Sequence, residues 1–354
     1  MKIVIIGAGV AGLSIGWRLQ LQGAQVTIFD RAQPASAATW ASAGMLAAGG
    51  EFAHAETPEA EFARLSSGLW PDFANEVEEA SGQRVHYRRC GALIVQKAAH
   101  LWRGAERIDR KHALAMEPML SPDIAGAIWA PDEAQVDSRA LGEALALAFI
   151  RSGGALIPNE VVLSFKLEGD RIARVATPFE QYEADAFVIA AGAWSSTIEG
   201  LPAEVVASIK PIKGEMLSVA PRVGGSLPRH IVWGDDVYMV PRADRLLIGA
   251  TSEDVGFDTS LTDAGAELLS KHARRLMPEI ADWTVTERWA GLRPMSADGL
   301  PLLGRTSLEG LFVATGQYRN GILFAPAIAH LMSRIILQGD VEIAAFDPRR
   351  FARE

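Results

Sequence analysis

Four glycines near the start of the chain have the spacing of a phosphate-binding turn. They are Gly7, Gly9, Gly12 and Gly16, and they follow the short apolar run Lys2–Ile6. Gly7 permits a tight turn out of a strand, and Gly9 lets the backbone approach a pyrophosphate because no Cβ stands in the way. Gly12 and Gly16 let the next helix pack closely on the sheet, and its N-terminus offers free N–H groups to phosphate oxygens. The segment therefore predicts a dinucleotide site.

An acidic residue at the end of the next predicted strand supports this interpretation. Residues 24–29 have the pattern of a second buried strand, and Asp30 follows it. A carboxylate at this place can accept hydrogen bonds from ribose hydroxyls. Ala11 inside the glycine motif and Arg31 beside the acid are expected to contact the same ligand.

Three features favour FAD over NAD as the dinucleotide. The chain has no second glycine-rich βαβ unit, which a flavoenzyme reduced by NAD(P)H in this architecture usually needs. Residues 185–196 form an apolar strand that runs into small residues, Gly192 among them. Residues 311–321 form a strand, a glycine-flanked turn and a helix start, which could stabilise negative charge on a reduced flavin. Taken singly, the last two features are equally well explained as buried strands with tight turns.

The elements around these motifs alternate between strand and helix. Helices are predicted over residues 13–22, 59–80, 137–152, 262–277 and 321–338, with Asp137 as an N-cap. Strands are predicted over residues 2–6, 24–29, 154–158, 161–167, 171–177, 185–191, 209–219, 229–240, 245–250 and 311–315. Residues 36–50 have no strong period and are interpreted as a loop.

The predicted fold class is α/β. A Rossmann-like FAD-binding domain, with a parallel sheet and helices, carries an inserted antiparallel-sheet domain that binds substrate. The FAD-binding domain is predicted to comprise residues 1–80, 137–205 and 290–354, and the substrate domain residues 81–136 and 206–289. Ligand is expected between the two, at the carboxyl ends of the parallel strands.

The composition excludes several classes of protein. A net charge of −9 and a pI of about 5.4 argue against a nucleic-acid surface, which needs a basic stripe. No stretch reaches the ~20 apolar residues that cross a bilayer, so no transmembrane or targeting segment is predicted. The single cysteine, Cys90, allows no internal disulfide, so a soluble cytoplasmic protein is predicted. The seven histidines lack metal-ligand spacing, and no metal site is predicted.

Further segments carry a more specific pattern than the glycine turn. They are Ser42-Ala43-Gly44-Met45-Leu46, residues 188–194 with Ser195, Lys213-Gly214-Glu215, Tyr238-Met239-Val240-Pro241, residues 289–294 (Trp-Ala-Gly-Leu-Arg-Pro) and Arg319-Asn320-Gly321-Ile322. Together with the glycine turn and Asp30, they make the chain resemble the D-amino acid oxidase superfamily of flavoproteins over nearly its whole length. The resemblance is greatest to the glycine oxidase branch, which is associated with thiamin biosynthesis.

The resemblance implies a non-covalent FAD with its flavin between the domains. Ser42, Ala43, Gly44 and Met45 would lie along the flavin, Gly192 would contact the cofactor, and Val161 would contact the adenine end. Backbone N–H groups would hold the polar edge of the flavin ring, and they belong to Gly316, Arg319, Asn320, Gly321, Ile322 and Leu323. Related sarcosine oxidases attach the flavin through a cysteine late in the chain, and no cysteine follows Cys90 here.

The resemblance also implies the reaction and its substrate. Hydride would pass from the α-carbon of a small amino acid or amine to flavin N5, the imine would hydrolyse, and O2 would reoxidise the flavin to give H2O2. Arg293 matches the family's carboxylate-binding arginine, and its forked guanidinium suits both carboxylate oxygens. Tyr238 matches a tyrosine that orients the substrate, and Arg319 a second arginine near flavin and substrate. The alternatives are a salt-bridged Arg293, a core Tyr238, and an Arg319 that serves the flavin more than the substrate.

Two positions depart from the glycine oxidase pattern. Asp236 stands where a histidine is usual, and Gln317-Tyr318 replaces a histidine followed by an aromatic residue. If Asp236 faced the pocket, it would favour a substrate with an extra amine; the alternative is an acid on a solvated turn. Glu51 and Glu56 follow the flavin loop and could reach the pocket entrance, but they are interpreted as solvated loop acids.

Three rival functions stay open at this stage. A dehydrogenase of the same fold would pass electrons to a quinone or carrier instead of O2. A non-catalytic flavoprotein would act as a redox sensor, although the presence of both Arg293 and Tyr238 argues against it. A dehydrogenase that binds NAD is the third. The family often forms tetramers, so a homo-oligomer is a further expectation.

Overall fold

A computed structural model describes residues 1–52, 56–95, 101–102, 104–206, 208–339 and 343–352. Its strands are β1 (Lys2–Ile6), β2 (Gln25–Phe29), β3 (Met45–Leu46), β4 (Ala92–Val95), β5 (Glu106–Asp109), β6 (Gly126–Ala130), β7 (Ala134–Gln135), β8 (Ala155–Ile157), β9 (Ser164–Glu168), β10 (Arg171–Ala176), β11 (Gln181–Glu183), β12 (Ala186–Ile189), β13 (Ile209–Ala220), β14 (Ile231–Gly234), β15 (Tyr238–Pro241), β16 (Leu246–Gly249), β17 (Thr284–Ser296), β18 (Leu302–Arg305) and β19 (Leu311–Thr315). Its α-helices are α1 (Val10–Leu21), α2 (Ala38–Ala41), α3 (Ala48–Glu51), α4 (Pro58–Ser81), α5 (Arg110–Met116), α6 (Ser138–Arg151), α7 (Ala203–Val206), α8 (Asp263–Leu276) and α9 (Gly321–Leu337).

A six-stranded, mostly parallel sheet has the order β18-β19-β12-β1-β2-β8. β1 pairs in parallel with β2 and β12, and β18 is the antiparallel edge strand. Alternate residues of β1 enter different cores, as the period of a strand requires. Ile3 and Ile5 pack with the helices α1, α4, α6 and α9, whereas Val4 and Ile6 pack toward the small sheet β11-β10-β9. Both faces of the parallel sheet are therefore covered, which explains its apolar strands.

An eight-stranded sheet has the order β17-β13-β16-β15-β14-β4-β6-β5. Its long pair, β13 and β17, is antiparallel and places Gly214 opposite Gly291 and Ile212 opposite Arg293. One apolar cluster of this sheet contains residues of α8, including Leu269 and Ala273. The other cluster contains Met216 and Trp289.

The predicted α/β class, a parallel sheet joined to antiparallel strands, is confirmed. Asp137 caps α6 as predicted, because its carboxylate accepts from the N–H groups of Arg139 and Ala140. The division of residues between two domains stays a prediction, and β17 runs across its boundary at residue 290. In the described part of the chain, no helix is both long and apolar enough to span a membrane.

Several element predictions were wrong. Residues 229–240 form two strands instead of one, because the turn after Gly234 reverses the chain. The strands β4, β5, β6, β7, β11, β17 and β18 were not predicted. β17 has charged residues near its start and a proline near its end, which hide its strand pattern. The predicted loop 36–50 contains the short elements α2 and β3 and most of α3.

Candidate active site

A cavity of about 570 Å³ opens at the carboxyl ends of the parallel strands. The segments that follow β1, β2, β8, β12 and β19 line it on the side of the parallel sheet. Residues of β13, β14, β15 and β17 line it on the side of the antiparallel sheet. Ligand sites of open α/β sheets lie at this end of the strands, so the cavity is the candidate site.

The glycine turn forms one end of the cavity. Gly7, Gly9 and Ala11 line it, and Gly9 is the N-cap of α1. Gly12 does not line the cavity; a Cβ added there would lie 1.9 Å from the carbonyl oxygen of Gly7. Because Gly12 has no side chain, helix α1 can lie close to the turn at Gly7. The N–H of Val10 donates to Oγ1 of Thr39 at 2.9 Å, a contact that no local sequence motif predicts.

Asp30 joins the glycine turn to the next loop. Its carboxylate accepts from the N–H of Ala8 at 2.7 Å and from that of Ala32 at 2.9 Å. Burial raises the pKa of Asp30, and these two hydrogen bonds partly offset the rise. Because each carboxylate oxygen has a second lone pair, Asp30 can still accept from a ligand hydroxyl in the cavity that it lines.

The segments beside Asp30 extend this end of the cavity. Arg31 lines it, and its guanidinium lies 4.8 Å from the ring centroid of Trp194. Val161 and Gly192 line the cavity as well. The carboxyl ends of β2, β8 and β12 thus meet around one volume, as the sequence predicted.

The segment 42–45 forms the middle of the wall. Gly44 has a φ of +67°, which favours glycine, and a Cβ there would lie 1.9 Å from the carbonyl oxygen of Val136. Arg242, whose side chain is 9% exposed, donates to the carbonyl oxygens of Ala43 and Val136, the latter at 2.9 Å. Burial lowers the pKa of Arg242 to about 10, and the nearby Asp137 opposes that shift. Arg242 therefore holds this loop from behind.

Three cationic or phenolic side chains predicted for the reaction line the other end of the cavity. They are Arg293, Tyr238 and Arg319. Arg293 donates from Nη1 to the carbonyl oxygens of Thr251 at 3.1 Å and Lys213 at 3.4 Å.

The pKa values of the two phenols at this end, Tyr238 and Tyr318, are shifted in opposite directions. Burial raises the pKa of Tyr238, although Arg293 and Arg319 partly offset the rise. Burial also acts on Tyr318, but contacts with the Ser252 hydroxyl and Arg319 hold its pKa below the usual value. Tyr318 has a φ of +46°, unusual for a residue with a side chain and a mark of backbone strain at a functional site.

The structure decides the position of two acids whose places the sequence left open. Glu51, interpreted as a solvated acid, is exposed and lines the cavity. Desolvation by the cavity walls raises its pKa, and Arg319 and then Arg293 partly offset the rise. Asp236 does not line the cavity: its side chain is 61% exposed in the turn between β14 and β15, where it lies 4.0 Å from His272. Asp236 is therefore the acid on a solvated turn, and the condition under which it would select a substrate amine is not met.

The family model of the DAO type, described as FAD dependent oxidoreductase, matches residues 2–335. The chain belongs to this family of FAD-dependent oxidoreductases. It is 35% identical over 370 residues to the bifunctional protein ThiO/ThiG of Trichormus variabilis, an alignment that covers 99% of this chain and 55% of that relative. It is 34% identical over 370 residues to a glycine oxidase of Geobacillus kaustophilus, covering 99% of this chain and 96% of the relative.

The structure is similar to the crystal structure of glycine oxidase from Geobacillus kaustophilus. The TM-score is 0.91 at 31% sequence identity, and the match covers 99% of both chains. The chain spans about half the length of the ThiO/ThiG relative. The predicted resemblance to the glycine oxidase branch of the DAO family, and with it the FAD dependence, is confirmed.

The cavity fits the cofactor of the DAO family. Ser42 Oγ and Gln317 Nε2 are buried polar atoms without a hydrogen-bond partner among the described residues, and both side chains line the cavity. A flavin ring, with donors and acceptors along its edge, would satisfy such atoms. Residues 317–322, which include Arg319, Asn320, Gly321 and Ile322, also line this part.

Two predicted cofactor contacts lie behind the wall. Gly316 does not line the cavity, and a Cβ there would lie 3.1 Å from Cδ1 of Leu302. Leu323 is buried, and its carbonyl oxygen accepts from Ser66 Oγ at 2.7 Å and Trp70 Nε1 at 2.9 Å. These two residues hold the turn and the start of α9 in place; their contact with FAD stays a prediction. The described residues contain no group of three or more metal-ligating side chains arranged around one point.

Proposed function

We propose that this chain oxidises the C–N bond of a small amino acid or amine with a carboxylate, of the glycine, sarcosine or D-amino acid type. One observation carries the proposal. Arg293, on the antiparallel sheet, lines the same cavity as the glycine turn and Ser42 on the parallel side. A forked cation beside a flavin site can fix a carboxylate so that its α-carbon faces the cofactor.

Arg293 is the residue that would bind the carboxylate. Its Nη1 donates toward Thr251 and Lys213, so the guanidinium is held at its back. Guanidinium has five N–H donors, and those not directed at the two carbonyl oxygens can form the paired hydrogen bonds that a carboxylate accepts.

Tyr238, Arg319 and Glu51 would orient the rest of the substrate. The Tyr238 hydroxyl can donate to the carboxylate beside Arg293, because burial keeps this phenol protonated. Glu51 lies in the positive potential of both arginines and can accept a hydrogen bond from the substrate amino group, which has to lose its ammonium proton before hydride can leave the α-carbon. The protein thus holds an amino acid by its carboxylate and its amino group, and this orientation brings the α-carbon to a fixed place.

FAD, when bound, supplies the acceptor for the two electrons of the C–N oxidation. Ser42, Ala43, Gly44 and Met45 would hold its ring and Gly7, Gly9 and Asp30 its phosphate and ribose end. We propose that O2 takes the electrons onward and yields H2O2. The imine product would hydrolyse to an oxo acid and ammonia or an amine.

The remaining expectations are proposals of the same kind. The FAD-binding domain would comprise residues 1–80, 137–205 and 290–354, and the substrate domain residues 81–136 and 206–289. A cytoplasmic location agrees with the single cysteine. A homo-oligomer, as the family often forms, would be the assembly.

A substrate panel tests the proposal. Glycine, sarcosine and several D-amino acids are offered to the FAD-loaded protein, and peroxide is measured beside the reduction of an artificial dye. Peroxide formed in proportion to substrate supports the oxidase. Dye reduction without peroxide would instead identify a dehydrogenase that uses another acceptor, and a flavin that none of these substrates reduces would refute the proposed function.

A further inference from the structure

The strand β13 carries a buried ion pair that the reaction scheme above does not use. The Lys213 side chain is 2% exposed, and its Nζ lies 2.9 Å from Glu215 and 3.6 Å from Glu253. Burial opposes the charge on Lys213, but the two carboxylates hold its pKa above the usual value. Buried ion pairs contribute little to stability, so the Lys213–Glu215 pair is a candidate for a role other than stabilising the fold.

The pair is connected to the segment after β16. The backbone of Glu253 pairs with that of Lys213 through N–H···O contacts of 2.9 and 3.0 Å. The Thr251 hydroxyl accepts from the N–H of Glu215 at 2.8 Å and donates to the Glu253 carboxylate at 2.7 Å. Glu215 is fixed in turn by Thr262, whose N–H and hydroxyl donate to its carboxylate. These hydrogen bonds therefore fix the orientations of the Thr251, Glu215 and Glu253 side chains relative to one another.

The network ends on the two carbonyl oxygens that hold Arg293. These belong to Thr251 and Lys213, at 3.1 and 3.4 Å from Nη1. Gly214, between the members of the ion pair, lies directly against the guanidinium, because a Cβ there would be 2.4 Å from both Nη1 and Nη2. The plane and the direction of the Arg293 fork thus depend on where β13 and residue 251 are held.

We propose that Lys213, Glu215 and Thr251 form a positioning unit that aims the Arg293 guanidinium at the substrate carboxylate. This inference rests on the proposed function, since it assigns a role to residues behind the same anion site. The three residues touch neither substrate nor FAD in this scheme. They affect the affinity for the carboxylate, whereas the chemical step depends on the groups that line the cavity.

A pair of substitutions at Thr251 separates positioning from a structural role. Thr251→Val keeps the shape and removes the hydroxyl that joins Glu215 to Glu253, whereas Thr251→Ser keeps the hydroxyl. The FAD-loaded variants are titrated with acetate, and binding is followed through the visible absorbance of the flavin. Glycine turnover gives KM and kcat, and the affinity for FAD is measured separately.

We expect Thr251→Val to weaken acetate binding and to raise the KM for glycine together, each about tenfold, with kcat changed less than about threefold. Thr251→Ser should stay within about threefold of the parent, and FAD affinity should be unchanged in both. Lys213→Met should show the same pattern with a larger effect. If Lys213→Met does not fold, the threonine pair decides alone.

Two results would overturn the positioning role. One is acetate affinity in Thr251→Val that stays within threefold of the parent. The other is a loss of acetate binding accompanied by an equal loss of FAD, which indicates a structural role only. If the parent protein binds acetate but oxidises none of the substrates, the proposed function is wrong. If the parent oxidises glycine, the results for the variants test the positioning unit alone.

Discussion

Removing the guanidinium of Arg242 should destabilise the protein and loosen its hold on FAD. Arg242→Met leaves a side chain of similar length but takes a charged donor from the carbonyl oxygens of Ala43 and Val136 and from Gln135. All of these contacts lie behind the loop 42–45. The substitution therefore disturbs the cofactor wall without touching the cavity space directly.

The size of the effect follows from the number of acceptors left unpaired. A buried acceptor that loses its donor costs about 1–3 kcal/mol, and water that enters recovers part of this. With three acceptors, the loss of unfolding free energy should be about 3–5 kcal/mol. For a chain of 354 residues, that corresponds to a fall of roughly 4–7 °C in Tm.

Thermal unfolding followed by the fluorescence of released flavin, beside circular dichroism, measures both consequences. In Arg242→Met the flavin should be released at a lower temperature than in the parent. Arg245→Met is the matched control, because Arg245 lies in the same hairpin. Its only ion pair within the described residues is with the exposed Asp244, at 3.5 Å. Exposed pairs contribute about 0–1 kcal/mol, so the control should melt like the parent. Equal melting of the two variants would refute the role given to Arg242.

Further predictions concern the turn and the acids. Gly12→Ala should weaken FAD binding by roughly 10- to 100-fold, because its Cβ would meet the Gly7 carbonyl oxygen at 1.9 Å; FAD titration of the apoprotein at parent affinity would contradict this. Burial raises the pKa of Glu133 from 4.5 to about 7, so the folded state binds more protons than the unfolded one between these values and parent stability falls as the pH rises through them. Glu133→Gln should abolish that fall and gain up to roughly 3 kcal/mol above pH 7, measured by denaturant unfolding at several pH values; a parallel pH dependence in both proteins would contradict it. Glu51→Gln should raise the KM for glycine about fivefold and tighten acetate binding by a similar factor, because one charge is removed that attracts the ammonium and repels acetate; a change of the same sign for both ligands would be inconsistent with ammonium pairing.

Local motifs predicted the part of the site that lies close to them in sequence. The glycine turn and Asp30 belong to one βαβ unit, so their spacing alone brings them to one end of the cavity. Arg293 and Tyr238 came from a family pattern, and both line the cavity that this pattern implies. Their catalytic roles stay predictions.

Residues whose contacts cross the chain were missed. Arg242 contacts Ala43, 199 positions away, and no periodicity of the hairpin around Arg242 reveals such a partner. The sequence left Glu51 between solvent and the pocket entrance, because the contact of Glu133 with the N–H of Gly50, which helps to fix the short helix that carries this acid, crosses the chain. Asp236 faces solvent because it belongs to a hairpin turn, as one of its two interpretations held, although the strand predicted over residues 229–240 did not show that turn.

Reduction of the bound flavin by glycine in the absence of oxygen is the sharpest test of whether Arg293 binds the substrate carboxylate. The parent and Arg293→Leu, both loaded with FAD, are mixed with glycine while the loss of flavin absorbance is followed. Arg222→Leu is the control, since Arg222 pairs with Asp282 at the surface and does not line the cavity. Two charge-assisted hydrogen bonds contribute about 3–6 kcal/mol, so Arg293→Leu should need at least roughly 100-fold more glycine for the same rate. The control should behave like the parent; reduction of Arg293→Leu at the parent's rate and glycine concentration would contradict the account.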